Sequence, residues 1–210
     1  MAETNKEKAS LKKEIKDWIQ IIGAAIIIAF VLNTFIIANS DVPSPSMEPT
    51  IMTHSRIIGS RLNYHFTDIE RGDIAIFIFG WRCPVCREVV EGEKKDGDSC
   101  PFCNSAVNGR AETIFYVKRV IGLSGDIIDI KDDKVFINGS KEPLEEPYLA
   151  EKMGKHETLH FEVPENSYFM MGDNRNNSYD ARYWNNHYIA RDKVIAQVLF
   201  EYYPQIKVLR

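Results

Sequence analysis

Apolar and polar positions divide the chain into one long apolar block near the N-terminus and a series of short apolar runs beyond it. Residues 18–40 contain no charged side chain, and residues 21–32 are almost wholly apolar. At about 1.5 Å of rise per residue, a helix over residues 18–38 crosses a ~30 Å hydrocarbon layer. Gln20 and Asn33 are polar within it and read as interfacial or helix-contacting positions. After the block the period changes. Residues 74–79 and 114–117 read as buried or half-buried strands, and residues 168–171 and 194–200 as further strands. Residues 135–137 run into Asn138-Gly139, a pair that accepts the positive φ angles of a type I′ turn and so predicts a tight hairpin there. The block is the only strong helix signal, and the fold class is mainly β: an N-terminal transmembrane helix followed by an antiparallel sheet.

Two polar segments interrupt the strands. Residues 80–112 carry all four cysteines, and residues 129–166, approximately, are rich in Lys and Glu. Both read as inserted small subdomains, the first at the far end of a hairpin with arms 74–79 and 114–119. The expected organisation is therefore a tail over 1–17, an anchor over 18–38 and a folded domain over 41–210. A length of 210 residues suits one such domain.

Charge orients this arrangement. Lys6, Lys8, Lys12, Lys13 and Lys16 precede the block, whereas the first basic residues after it are Arg56 and Arg61. The positive-inside rule then places the tail in the cytoplasm and the domain outside the plasma membrane. A cleaved signal peptide ahead of a secreted β domain is the competing reading. The block exceeds the ~7 to 15 apolar residues of a signal peptide core, which favours a retained anchor. The formal net charge is −4 and the lysines cluster only at the N-terminus, so no basic surface invites nucleic acid.

Three segments carry candidate chemistry. Ser46 lies in Pro43-Ser44-Pro45-Ser46-Met47-Glu48-Pro49-Thr50, where two prolines impose an extended, stiff approach. Taken alone, such a stretch is usually a linker. Lys118 lies in Tyr116-Val117-Lys118-Arg119-Val120, where period two puts Tyr116, Lys118 and Val120 on one side and turns Arg119 to water. An ammonium cannot accept a proton, but desolvation lowers a lysine toward the ~7 to 8 that suits a general base. The ordinary alternative is an exposed strand lysine. Residues 172–184 pack charges and amides too densely for a strand interior, as a capped surface turn or a site wall would.

Together with the preceding anchor, the motif at 43–50, Arg71-Gly72-Asp73 with the strand up to Phe77, residues 118–126 and residues 172–182 identify a resemblance to the bacterial type I signal peptidases, membrane-anchored serine proteases. Self-cleaving repressors resemble the chain more distantly, since they lack an anchor and carry a DNA-binding domain. The resemblance implies a peptidase domain in which Ser46 is the nucleophile and Lys118 its general base. It further implies that Ser44 Oγ and the Ser46 N–H form an oxyanion hole, that Ser178 orients the lysine amine, that Asp180 and Arg182 form an ion pair behind the site and that Met47 packs beside the nucleophile. Asn176, Ala181, Ser124 and Pro45 stand where many relatives have Asp, Ser, Pro and Gly, and none of these carries an assigned hydroxyl or amine. Relatives of the endoplasmic reticulum have His in place of Lys118; His54, His65, His156, His160 and His187 form no cluster in sequence and read as structural or exposed. The implied activity is removal of signal peptides from exported preproteins after a small-x-small site, with the substrate bound as an added strand. Signal peptides and membrane lipid are the implied partners, and the export translocon is a further one. No cofactor is implied for catalysis.

Cys83-Pro84-Val85-Cys86 and Cys100-Pro101-Phe102-Cys103 have the spacing of two metal knuckles, which suits a structural Zn. Arg87 sits where a glycine often eases the knuckle turn, and thiols outside the membrane can oxidise. Zinc, two disulfides and free or redox-active thiols all remain open. The alternative function from another class is a catalytically inactive, membrane-tethered zinc-knuckle binding module.

Overall fold

The computed structural model describes residues 2–95, 97–107, 111–154 and 157–209, with side chains from residue 14 onward. The apolar block folds as expected into a helix, α1 (Ala2–Val31), that continues as a π-helical turn over Leu32–Ile36. Its stretch Glu14–Ile36 has a mean hydropathy of 2.4, none of its most apolar window is buried against the rest of the chain, and it is long and apolar enough to cross a membrane. The helix ends two residues earlier than the apolar block suggested. Ile37 and Ala38 belong to strand β1 (Ile37–Val42), where Ala38 is buried.

The strands that follow are β2 (Ser55–Ser60), β3 (Ile74–Arg82), β4 (Val89–Glu91), β5 (Glu112–Gly122), β6 (Ile127–Lys131) and β7 (Lys134–Ile137). After them come β8 (Leu159–Glu162), β9 (Ser167–Met171), β10 (Ile189–Ala190), β11 (Val194–Tyr203) and β12 (Lys207–Val208). Among the described residues they form an antiparallel sheet in the order β1-β2-β11-β3-β5-β9-β10, with β4 on β3 and β12 on β11, and a three-stranded sheet β7-β6-β8.

Strand β3 explains the main core. Up to Trp81 its residues carry no polar side chain because both faces of the strand are covered. Ile74 and Ile76 join Met47, Ile51, Ile57, Ala196 and Val198 on one side, while Ala75, Phe77 and Phe79 join Trp184, Phe169 and Met170 on the other. Burying a side chain of this size contributes roughly 1.5–3 kcal/mol. Phe79 stacks on Tyr116 at 4.1 Å and Trp184 leans on both. The expected hairpin arms pair as drawn, with Ala75 opposite Lys118 and Phe77 opposite Tyr116.

Two expectations are corrected. The hairpin at β7 turns before the strand and not after it: β7 pairs β6 through Asp132 and Asp133, both at positive φ, which short acidic side chains tolerate. Asn138 and Gly139 do adopt positive φ, and Ser140 N–H closes the turn onto Ile137 O, but among the described residues no strand beyond the turn pairs with β7. The segment over about 129–166 is also more than a polar insertion. Its sheet begins at Ile127, and Ile128, Ile130, Val135 and Phe161 are buried in the same core as β5 and β9.

Candidate active site

The stiff segment after β1 forms one 3₁₀ turn, Pro45–Met47, with Pro45 at its start and Ser44 extended before it. Met47 is fully buried, in the cluster with Ile51 and Ile57. This turn holds Ser46 over the middle of β5, and Ser46 Oγ lies 2.5 Å from Lys118 Nζ, a contact across 72 residues of sequence. The Ser44 hydroxyl is 3.1 Å from Ser46 Oγ.

Lys118 is 4% exposed. Burial pushes its amine down to about 8; Asp180 and Asp173 pull it up, and Arg182 pushes it down again. Desolvation wins because no carboxylate bonds the amine directly, so the lysine gives up its proton far below the usual range near 10.4. The Tyr116 ring lies beside it, 5.7 Å from Nζ.

Arg119 does not turn to water. It is 2% exposed, forks onto Asp173 at 2.8 and 2.7 Å, and lies over the Tyr148 ring at 4.0 Å. Strand alternation placed it on the opposite face correctly, but that face is covered by the 172–184 loop and the segment around Tyr148. Paired and bidentate, a buried guanidinium is tolerated; unpaired, it is not.

The 172–184 loop is a buried wall and not a surface turn. Asp180 and Arg182 form the expected ion pair, bidentate at 2.8 and 2.9 Å with both side chains fully buried, and Arg182 also donates to Arg175 O. Asp180 accepts the Gly172 N–H at 3.0 Å, which ties the two ends of the loop together. Ser178 behaves differently from the expectation. Its hydroxyl is buried, yet makes no hydrogen bond among the described residues; the Lys118 amine is directed at Ser46 instead.

Several supporting residues were missed in the sequence. Gly172 lets the loop approach the nucleophile: a Cβ there would sit 2.2 Å from Ser178 Oγ and 2.4 Å from Ser46 O. Asn174 donates its N–H to Ser46 O and its amide to Pro45 O, both at 3.1 Å, clamping the turn that carries the nucleophile. Arg175 is buried against Glu146, 2.9 Å from Oε2. A Gly-Asp-Asn triplet signals only a turn until the partner segment is known. Of the histidines, His160 bonds Asp129 and His187 bonds Ala181 O, while His156 lies outside the described residues.

A cleft of about 520 Å³ opens beside the pair, between residues 40–46 and residues 112–118 of β5. Strand β9 pairs β5 only at Arg119, Val120 and Gly122, so this edge of β5 from Glu112 to Lys118 has no strand beside it among the described residues. An open ladder edge facing a nucleophile is a seat for an extended peptide.

The four cysteines cluster at the other end of the β3–β5 hairpin. Their sulfurs lie within 4.8 Å of one another, and none forms a disulfide.

A buried lysine amine lowered to about 8 and set against a serine hydroxyl is a pair chemically able to act as base and nucleophile. Comparison with known proteins narrows this. The family described as "Signal peptidase, peptidase S26" matches residues 15–203. A signal peptidase I of Leptolyngbya laminosa is 32% identical over 90% of this chain and 80% of its own length. Signal peptidase I S of Bacillus subtilis is 34% identical over 84% and 83%, and signal peptidase I T of the same organism is 32% identical over 96% and 93%. The chain belongs to the signal peptidase family, peptidase S26.

Proposed function

We propose that the chain is a signal peptidase I that cleaves preproteins with a Ser46 nucleophile and a Lys118 general base. The observation that carries this reading is the 2.5 Å contact between a serine hydroxyl and a lysine amine lowered to about 8 by burial. The neutral amine takes the Ser46 proton as Oγ attacks the scissile carbonyl, then returns it to the leaving amine. Water, activated by the same amine, releases the acyl group. The Ser44 hydroxyl and the Ser46 N–H stabilise the charge that develops on the carbonyl oxygen, an effect worth roughly 2.7–4 kcal/mol per donor. Ser178 accepts a hydrogen bond from the ammonium once Lys118 is charged; its buried hydroxyl, which makes no hydrogen bond among the described residues, supports that role. Asp180 and Arg182 hold the wall behind them.

The substrate is an extended segment with small residues one and three positions before the cut, lying along the open edge of β5. The anchor runs from residue 18 to the end of the helix at Ile36, with the 1–17 tail cytoplasmic and the domain from β1 onward on the outer face of the plasma membrane beside lipid and the export translocon. Catalysis uses no cofactor, and a structural zinc belongs to the insertion over 80–112. The inactive binding-module alternative is disfavoured by the assembled pair.

The test incubates detergent-purified full-length protein with a preprotein bearing a small-x-small site, beside Ser46→Ala and Lys118→Met. Cleavage at that site by the native chain, with a loss of about 10⁴-fold or more in either variant, is the expected result. Undiminished cleavage by either variant would remove its residue from the chemistry.

A further inference from the structure

The proposed chemistry leaves one motif unused, the four-cysteine insertion. Cys83 and Cys103 sulfurs are 3.7 Å apart, and Cys86 and Cys100 sulfurs 3.6 Å. A tetrahedral tetrathiolate with Zn–S bonds of about 2.3 Å has edges of about 3.8 Å. A disulfide of about 2.05 Å would require either pair to close by about 1.6 Å.

The backbone builds the same turn twice. Arg87 and Asn104, each following a second cysteine, lie at φ 67 and 57. Their N–H groups donate to Cys83 O at 3.0 Å and Cys100 O at 2.8 Å, while Cys83 N–H and Cys100 N–H donate to Glu88 O and Ser105 O. Each knuckle thereby turns both its thiols toward one point. The Ser105 hydroxyl, 2.9 Å from Cys103 Sγ, supplies a donor to a thiolate there. Apart from the thiols, the buried core of the insertion is Trp81 and Val107, with Val90 and Ala111 packed against it. So small an apolar core does not hold such a segment without a staple.

The insertion reaches the active site through β4. Gly80 pairs Glu91, and a Cβ on Gly80 would lie 2.0 Å from Val90 O, so glycine permits β4 to seat on β3. The Glu91 carboxylate then accepts the Tyr179 hydroxyl at 2.7 Å and the Asn185 N–H at 2.9 Å. Tyr179 follows Ser178 and lines the catalytic cleft. It also lines a second cavity, of about 590 Å³, whose opposite wall includes Val89, Pro101 and Phe102 of the insertion.

We propose that Cys83, Cys86, Cys100 and Cys103 bind one zinc ion, and that the metal-held β4 positions Tyr179 at the edge of the catalytic cleft through Glu91. Zinc closes the two knuckles into one rigid unit; Glu91 is a positioning residue that transmits its placement to the loop carrying Ser178. The zinc site stands independently of the proposed peptidase, whereas the role of Glu91 in substrate binding rests on it.

The test uses full-length protein in detergent, purified without added zinc. One zinc per chain, four thiols reactive only after chelator extracts it, and the visible bands of a tetrahedral tetrathiolate on cobalt replacement are expected. A metal-free protein overturns the site, whether its cysteines are disulfides or freely reactive thiols. Glu91→Ala is expected to keep its zinc and raise KM for the preprotein about tenfold with kcat within about threefold, and Glu91→Gln to recover most of that loss because its amide oxygen still accepts the Tyr179 hydroxyl. The Tyr179 phenol, held up to about 12 by burial and by Glu91, is expected to ionise at lower pH in Glu91→Ala, read as the difference from the same variant carrying Tyr179→Phe. Native KM and an unmoved phenol in Glu91→Ala overturn the positioning role. A native chain that cleaves nothing counts against the peptidase, and the zinc and phenol readouts still decide this proposal.

Discussion

The catalytic cleft and the four-cysteine insertion each hold a set of reactive atoms at the ends of one β3–β5 hairpin, by opposite means. In the cleft, Ser46 comes from a turn after β1, Lys118 from β5, and the wall from residues 172–184; these meet only because the large sheet brings distant segments together. In the insertion, the four sulfurs come from within residues 83–103, and two short turns aim them. The first arrangement inherits its rigidity from a buried core of large side chains. The second has almost no core and needs its ligand. Perturbing the cleft should therefore spread through the domain, whereas stripping the insertion should leave the main sheet standing.

Outside the Ser46–Lys118 pair, the largest expected effect on rate comes from closing the space that Gly172 leaves open. Gly172→Ala puts a methyl group against Ser178 and the Ser46 carbonyl, and a displacement of about 1 Å at a nucleophile costs on the order of 10²-fold in rate. Cleavage kinetics on the variant, with zinc content measured alongside, check this; native kcat would mean that the loop is softer than its packing indicates. Next, Asp180→Ala leaves Arg182 buried without its carboxylate and should destabilise the domain by roughly 3–5 kcal/mol. Denaturant unfolding of the extramembrane signal reads it. A loss confined to activity would break the contrast between a cooperative cleft and a local insertion.

The smallest effect tests the lysine itself. A buried lysine lowered from 10.5 to about 8 disfavours the charged form in the folded state, so it subtracts stability below about pH 8. Between about pH 8 and 10.5 the unfolded chain binds the extra proton and the native chain does not, so this penalty fades as pH rises. Lys118→Met should thus be more stable than the native chain by on the order of 2 kcal/mol at pH 7, after allowing for the lost hydrogen bond, and the gap should close toward pH 10.5. The same amine makes kcat/KM of the native chain climb with pH up to about 8. A pH-independent stability difference between the two would show that Lys118 titrates normally.

Much of the fold was legible because its signals are local. An unbroken apolar block of this length favours a helix long enough to cross lipid, and the apolar β3 run favours a strand covered on both faces, while the half-buried start of β5 is legible only as a strand. What escaped was whatever depends on a partner far along the chain. Strand β1 was hidden inside the end of the apolar block, and β6 and β8 inside a segment that reads as polar. Asp132-Asp133 took the hairpin that Asn138-Gly139 advertises, because either pair tolerates positive φ and only the pairing of β6 with β7 selects one.

The sequence by itself determined the long apolar helix, the mainly β domain and the knuckle spacing, and it singled out Ser46, Lys118, Asp180 and Arg182 as candidates, since hydrophobic period and motif spacing are properties of the chain. Only the tertiary structure decided that Arg119 is buried against Asp173, that the Ser178 hydroxyl makes no hydrogen bond among the described residues, that Gly172 and Asn174 clamp the turn carrying Ser46 and that Glu91 joins the insertion to the cleft. The physical reason is the same in each case. Desolvation and hydrogen-bond pairing depend on which surfaces meet in space, and a side chain's neighbours along the chain do not specify them.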